Sequence, residues 1–166
     1  MKTHSGFTLL EVLIAMLLLA IGLLGLAALQ TVSIRNNLAA YNHGQATQLL
    51  YDMSDRIRAN VGAHPWDANS ITVVSSYRIA DTSTLGTTPT SCTPPAGCTR
   101  TQVASNDLIE WNNAIFATLP KGRGIITAST NPVTDSTIFT LSITWDDDRS
   151  GAVDGNDPTF TIGLQL

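Results

Sequence analysis

Charge is scarce in this chain. Nine lysines and arginines and thirteen aspartates and glutamates are spread over 166 residues, with a formal net charge of −4. A surface that tracks a phosphate backbone carries a basic excess. None is present, so a nucleic-acid partner is not expected, and a DNA-capturing role would need a basic stripe that the composition does not supply. A local basic patch stays compatible with that balance. Histidine is confined to His4, His43 and His64. Neither His43 nor His64 has a cysteine or carboxylate at ligand spacing, which favours solvated or capping roles over metal. No GxSxG elbow accompanies them, so no catalytic set emerges and no enzymatic activity is expected.

Cysteine is also rare. Cys92 and Cys98 enclose Thr-Pro-Pro-Ala-Gly. A CxxC pair would suggest redox chemistry or half a metal site; this wider, turn-rich spacing suggests a small structural disulfide in an oxidising compartment, the alternative being two free thiols. The chain-entropy model gives so short a loop about 2 kcal/mol.

From Val12 to Leu29 charge is absent altogether, over 18 residues. As a helix they span about 27 Å, close to the thickness of a bilayer's hydrocarbon core. No polar face interrupts them, as one would on the surface of a soluble core. The run is expected to be a membrane segment. Glu11 stands at its cytoplasmic end. At headgroup level it would do nothing; inside a protein assembly it would meet a positive partner.

Met1–Gly6 is short and carries Lys2. A secretory signal places its small-residue cleavage site after the apolar region, but here the candidate, Gly6, lies before it. Cleavage between Gly6 and Phe7 would leave the helix on the mature chain with a new α-amino group at Phe7. That amine, on the same or a neighbouring subunit, and Glu11 could neutralise one another within a helical bundle. Lys2 and the α-amino group before the run, against Arg35 alone soon after it, place the N-terminus in the cytoplasm and the remainder in the periplasm of a Gram-negative cell.

Gly6-Phe7-Thr8-Leu9-Leu10-Glu11-Val12 resembles the type IV prepilin motif: a basic leader, Gly, Phe, then Glu as the fifth mature residue. The resemblance implies cleavage after Gly6 by prepilin peptidase, N-methylation of Phe7, and filament assembly in which Glu11 meets a neighbour's N-terminus.

Beyond the apolar run, Gly22 and Gly25 being either close-packing positions or points where the helix can extend, Ile34, Leu38, Tyr41, Leu49, Leu50, Met53 and Ile57 recur at helical spacing. One helix is therefore expected from the membrane segment (7–29) through an amphipathic half (30–60), stopped by Gly62 and Pro65. Residues 61–166 then form one head domain. In it, Ile71-Thr-Val-Val reads as a short strand, 81–100 as a surface linker, and 101–119 as a helix whose stripe is Val103, Leu108, Trp111, Ile115 and Leu119. Lys121 and Arg123 are expected in a solvated turn. Strands are expected at 124–128, 138–145 and 159–166, the last two alternating apolar with polar residues. A one-faced sheet needs a cover, and the helix stripe supplies it. The fold class is α+β, a long N-terminal helix against a small antiparallel sheet, which is the pilin architecture.

Asp107-Leu-Ile-Glu-Trp111, Leu119-Pro120 with its Gly-rich turn, and Ile143-Thr-Trp145-Asp146 resemble the PilV-type minor pilins. That implies a subunit that primes pilus assembly near the tip. Its partners would be other minor pilins, the major pilin, the inner-membrane assembly machinery and a PilY-type adhesin. The alternatives are a type II secretion pseudopilin and a plain single-span membrane protein. Between the last two strands, Asp146, Asp148, Ser150, Asp154 and Asp157 fall at EF-hand offsets around Gly151, with the carbonyl of Ala152 between them. They suggest a Ca²⁺ site, the only cofactor considered, against a solvated acidic turn; Asp157 in place of Glu at the last offset weakens the fit.

Overall fold

The computed structural model describes residue 6 and residues 8–62, 68–92, 97–130 and 136–166. Helix α1 spans Leu9–Ile57 and passes into a π-helical turn, Arg58–Gly62. Helices α2 (Ala68–Ser76) and α3 (Arg100–Thr118) follow, then strands β1 (Arg123–Thr130), β2 (Thr137–Thr144) and β3 (Thr159–Gln165). The chain divides into two compact units, Met1–Ala40 and Tyr41–Leu166.

The first unit is helical from Leu9 on, and every described residue from Thr8 to Leu38 is exposed. Thr8 starts α1: its carbonyl accepts the N–H groups of Glu11 and Val12, and its hydroxyl accepts that of Glu11 as well. These bonds satisfy donors that have no partner inside the helix. The helix is long and apolar enough to cross a membrane. An apolar surface of that extent calls for lipid or other helices around it.

The second unit is built on the end of α1. There Asn42, Ala46, Leu50, Met53, Ser54 and Ile57 are buried along one face. The expected stripe began at Ile34, yet Ile34, Leu38 and Tyr41 are exposed. Periodicity identifies a face but not where its partner begins, and small or amide side chains (Ala46, Asn42) line the covered part.

The sheet is antiparallel in the order β1-β2-β3, with one-to-one pairing throughout. In β2, Phe139, Leu141 and Ile143 are fully buried and alternate with half-buried Ile138, Thr140 and Ser142. These three join Trp111, Ile115, Tyr77, Trp145 and, from α1, Ala46, Leu50, Met53 and Ile57 in a single core. Helix α3 starts at a capping box: Thr99 accepts from the Gln102 N–H, and the Gln102 side chain accepts from the Thr99 N–H. Such reciprocal caps contribute about 1 kcal/mol.

The segment expected as a strand at Ile71-Thr-Val-Val is instead the middle of α2. Val73 and Tyr77, four residues apart, are both buried, and Ile71 is exposed. A strand would have put Ile71 and Val73 on the same face. Burying Val73, and Tyr77 just past the helix end, outweighs the few tenths of a kcal/mol by which Val, Ile and Thr disfavour helix.

The π-helical turn joins α1 to α3 in both directions. Asn60 Nδ2 donates to the carbonyl of Arg100 (2.8 Å), and Arg100 Nε donates to the carbonyl of Asn60 (3.1 Å). Carbonyls left open at a helix end are thus taken up by a side chain from the next long helix.

The turn after α3 is tighter than a solvated loop. Lys121 is exposed with φ 50°, but Gly122 and Gly124 are buried. A Cβ on Gly124 would lie 2.5 Å from Trp111 Cη2, so only glycine lets β1 pass against the indole. Arg123 is half-buried and pairs with Asp81 at 3.6 Å, correcting its expected placement in solvent. Burial alone would raise the Asp81 carboxyl, but bonds from Ser83 and the charge of Arg123 hold it below its ordinary value.

Candidate functional site

Of the prepilin-like residues, Phe7 lies outside the described residues. Gly6 is exposed, and Glu11 sits in the first turn of α1 on the face formed with Val12, Ala15, Met16 and Leu19. Its carboxylate makes no ion pair among the described residues.

Cys92 and Cys98 are joined in a disulfide, with Cα atoms 5.0 Å apart. The segment leading into it is held to α3 by Asn106, whose amide exchanges two 2.8 Å bonds with the backbone of Thr90. A third bond, from Asn113 Nδ2 to the Thr87 carbonyl, extends this attachment.

The acidic loop brings three of its five candidate ligands together. Asp146, Asp148 and Asp157 each offer a carboxylate oxygen, and these oxygens lie within 4.8 Å of one another. Asp146 is buried and accepts from the N–H groups of Ser150 (2.9 Å) and Gly151 (2.8 Å). Asp148 also accepts from Ser150 N–H, and Asp157 accepts from the N–H groups of Asp147 and Asp154. Asp154 turns away to the N–H of Asn156, and Ser150 donates to the Ala152 carbonyl. Gly151 has φ 97°, a conformation that glycine adopts without strain. Each carboxylate oxygen has a second lone pair beyond its backbone bond, so the triad could hold a hard cation while the backbone bonds keep the turn closed.

His43 corrects an expectation. It is half-buried, edge-on to Trp145 (centroids 5.3 Å apart) and Phe160 (4.7 Å). Its role is packing rather than solvation. His64 lies outside the described residues.

The sequence reading missed a polar network centred on Arg56. The guanidinium bonds Asp52 (2.9 Å), Asp107 (3.2 Å) and Glu110 (2.6 Å). Asp107 also accepts from the Tyr77 hydroxyl at 2.6 Å, which accepts in turn from Asn60 Nδ2. Burial works against the Arg56 charge, but the three carboxylates outweigh it and raise its pKa. Burial and donation to Asp107 likewise push the Tyr77 phenol above its ordinary range. The only local signals were Asp52 and Arg56 at i,i+4 and two acids one turn apart on α3.

The stretches that carried the second resemblance converge in space. Trp111 packs on Gly124 and donates its indole N–H to the Leu49 carbonyl (2.9 Å). Asp146 donates its N–H to the Pro120 carbonyl (2.9 Å), which ties the acidic loop to the end of α3. Residues 1–27 match the family model of the prokaryotic N-terminal methylation motif, and residues 28–109 match the family model described as type IV pilin Tt1218. No curated protein and no solved structure matches the chain.

Proposed function

Because this chain belongs to the type IV pilins, we propose that it is a minor subunit, released from its leader between Gly6 and Phe7, that primes the pilus near its tip. The family is structural and the chain is not an enzyme; as a pilin it is anchored through an apolar N-terminal helix and assembles with other pilins and the pilus machinery. The observation that carries the finer reading is the Gly6–Glu11 motif running into the first turn of α1, with Glu11 as the one charge at the head of an apolar face. The convergence of Trp111, Gly124, Pro120 and Asp146, which lie in the stretches that resemble PilV-type minor pilins, supports the minor-subunit reading. On this reading the α1 start sits in the inner membrane with its N-terminus cytoplasmic, and the head is periplasmic until assembly carries it outward. Its partners are the major pilin, other minor pilins and a PilY-type tip adhesin.

The test is the intact mass and N-terminal sequence of the protein from its native membrane. The expected chain begins at N-methylated Phe7 and reverts to Met1 when prepilin peptidase is deleted. A chain that begins at Met1 in the presence of the peptidase, or downstream of Leu29, would refute the proposal.

Calcium belongs to the same proposal as a ligand of the Asp146, Asp148 and Asp157 triad. At an extracellular-type affinity near ~1 mM, about 10 mM Ca²⁺ adds about 1.4 kcal/mol to the folded state. Thermal unfolding of the full chain in detergent reads this directly. A rise in midpoint with Ca²⁺ but not Mg²⁺, abolished by Asp148→Asn, is expected. An unchanged midpoint would leave the loop as a turn closed by its own backbone.

A further inference from the structure

Asp154-Gly155 is the one place in the sequence where an aspartate or asparagine is followed by glycine. The side-chain carbonyl carbon of such a pair and the next backbone nitrogen close a five-membered ring when they join, and glycine has no Cβ to obstruct the approach. Both residues are exposed, and a Cβ on Gly155 would meet nothing within 4 Å. Among the described residues the Gly155 N–H has no hydrogen-bond partner. Asp154 Oδ1 accepts the Asn156 N–H at 2.7 Å, which folds the carboxyl back over the peptide that carries the Gly155 nitrogen. Asp157 holds the backbone on both sides of it: its Oδ2 accepts the Asp154 N–H (2.7 Å), and its N–H donates to the Asp154 carbonyl (3.4 Å). Nucleophile and electrophile are therefore kept as neighbours, the circumstance that speeds an intramolecular reaction.

Two other aspartates of the loop lack this arrangement. Asp157 precedes Pro158, whose nitrogen carries no hydrogen. Asp146 is buried, and the N–H that follows it, on Asp147, is taken by Asp157 Oδ1.

We propose that Asp154 is a site of spontaneous rearrangement to isoaspartate. The Gly155 nitrogen attacks Asp154 Cγ and forms a C–N bond. One carboxyl oxygen leaves as water, with the Gly155 amide proton and one proton from solvent, and a succinimide remains. Water then opens the ring at either carbonyl. Breaking the bond to Cγ restores aspartate; breaking the bond to the former main-chain carbonyl gives isoaspartate, whose chain runs through Cβ and Cγ. Nothing is oxidised or reduced, and the product has the mass of the original chain. The main chain gains one atom, and the old Asp154 carbonyl becomes a pendant carboxylate. The bond to Asn156 and the turn to Asp157 both use atoms that change place, so Asp157 loses its fixed position beside Asp146 and Asp148 as the subunit ages. The rearrangement itself needs no cation at those three residues.

The full chain in detergent is held at neutral pH and physiological temperature for several weeks, then digested with trypsin. The terminal peptide, 150–166, is compared with an unincubated control by electron-transfer fragmentation, which distinguishes isoaspartate from aspartate of equal mass. The free peptide 150–166 is incubated alongside. The expected result is isoaspartate at Asp154, none at Asp157, and a rate in the folded chain at least equal to that in the free peptide. Gly155→Ala should lower the rate about tenfold or more; Gly155 does not occupy the left-handed region and its Cβ position is open, so this variant folds. A folded chain slower than the free peptide would show that the loop protects Asp154. An unchanged rate in Gly155→Ala, or no isoaspartate in the folded chain, would show that the Gly155 nitrogen does not attack. Each of these outcomes overturns the proposal.

Discussion

Glu11→Gln should remove the subunit from sheared filaments while leaving its level in the membrane and its leader processing unchanged. The substitution keeps size and hydrogen-bonding capacity and deletes only the charge. In a bundle of apolar helices a mature Phe7 amine would then be buried without its counter-charge. Breaking a buried ion pair from one side costs about 3–5 kcal/mol, which is a loss of about two to four orders of magnitude in incorporation. Quantitative immunoblots of pili against membranes measure the ratio. If Glu11 merely rests among lipid headgroups, the ratio should move by less than about twofold, since a carboxylate already in a wet interface gains little from a partner. An intermediate value for Glu11→Asp would locate the cation one methylene farther away.

Gly124→Ala should destabilise the head by about 2–3 kcal/mol, a large effect for one methyl group. Its Cβ would overlap Trp111 Cζ3 and lie 3.1 Å from Ile115 Cδ1. The indole cannot retreat: Trp111 is 1% exposed and anchored through Nε1 to the Leu49 carbonyl. Gly124 does not occupy the left-handed region, so the cost is one of space rather than backbone conformation. In a Trp111→Leu background, itself destabilised by about 2–4 kcal/mol, the added methyl has room and should cost less than about 1 kcal/mol. Urea unfolding of the full chain in detergent, across all four combinations, measures the coupling. Equal costs in both backgrounds would show that the indole is not the obstacle.

These residues also show where sequence reasoning reached and where it stopped. Helix α3 was readable because Leu108, Trp111, Ile115 and Leu119 repeat at one period and a Pro-Gly turn stops them. Strand β2 was readable because its alternation is strict. Helix α2 was misread because Ile, Thr and two Val favour strand locally; what speaks against a strand is that Ile71 is exposed while Val73, which would share its strand face, is buried. Gly124 looked like turn material because nothing local announces an indole thirteen positions away in sequence. Within the candidate site, the Gly6–Glu11 motif is a contiguous pattern and was visible at once. The Arg56, Asp107 and Tyr77 network was not. Its members stand 51 and 30 positions apart, and each alone reads as an ordinary surface or core residue. The acidic loop was legible as a cluster, yet Asp154 faces the backbone of Asn156, a choice that spacing does not encode.

The reciprocal bonding between Asn60 and Arg100 has a mechanical consequence. A filament subunit is held by its N-terminal helix, so a pull along the filament enters the head at the end of α1. There the load does not fall on the core one residue at a time. Both arms of the Asn60–Arg100 clasp and the Arg56 contacts to Asp107 and Glu110 bridge α1 to α3 side by side, and bonds arranged that way share tension and yield together. The head is thereby gripped at two points on α3, about two helical turns apart, and α3 resists being peeled from the end of α1.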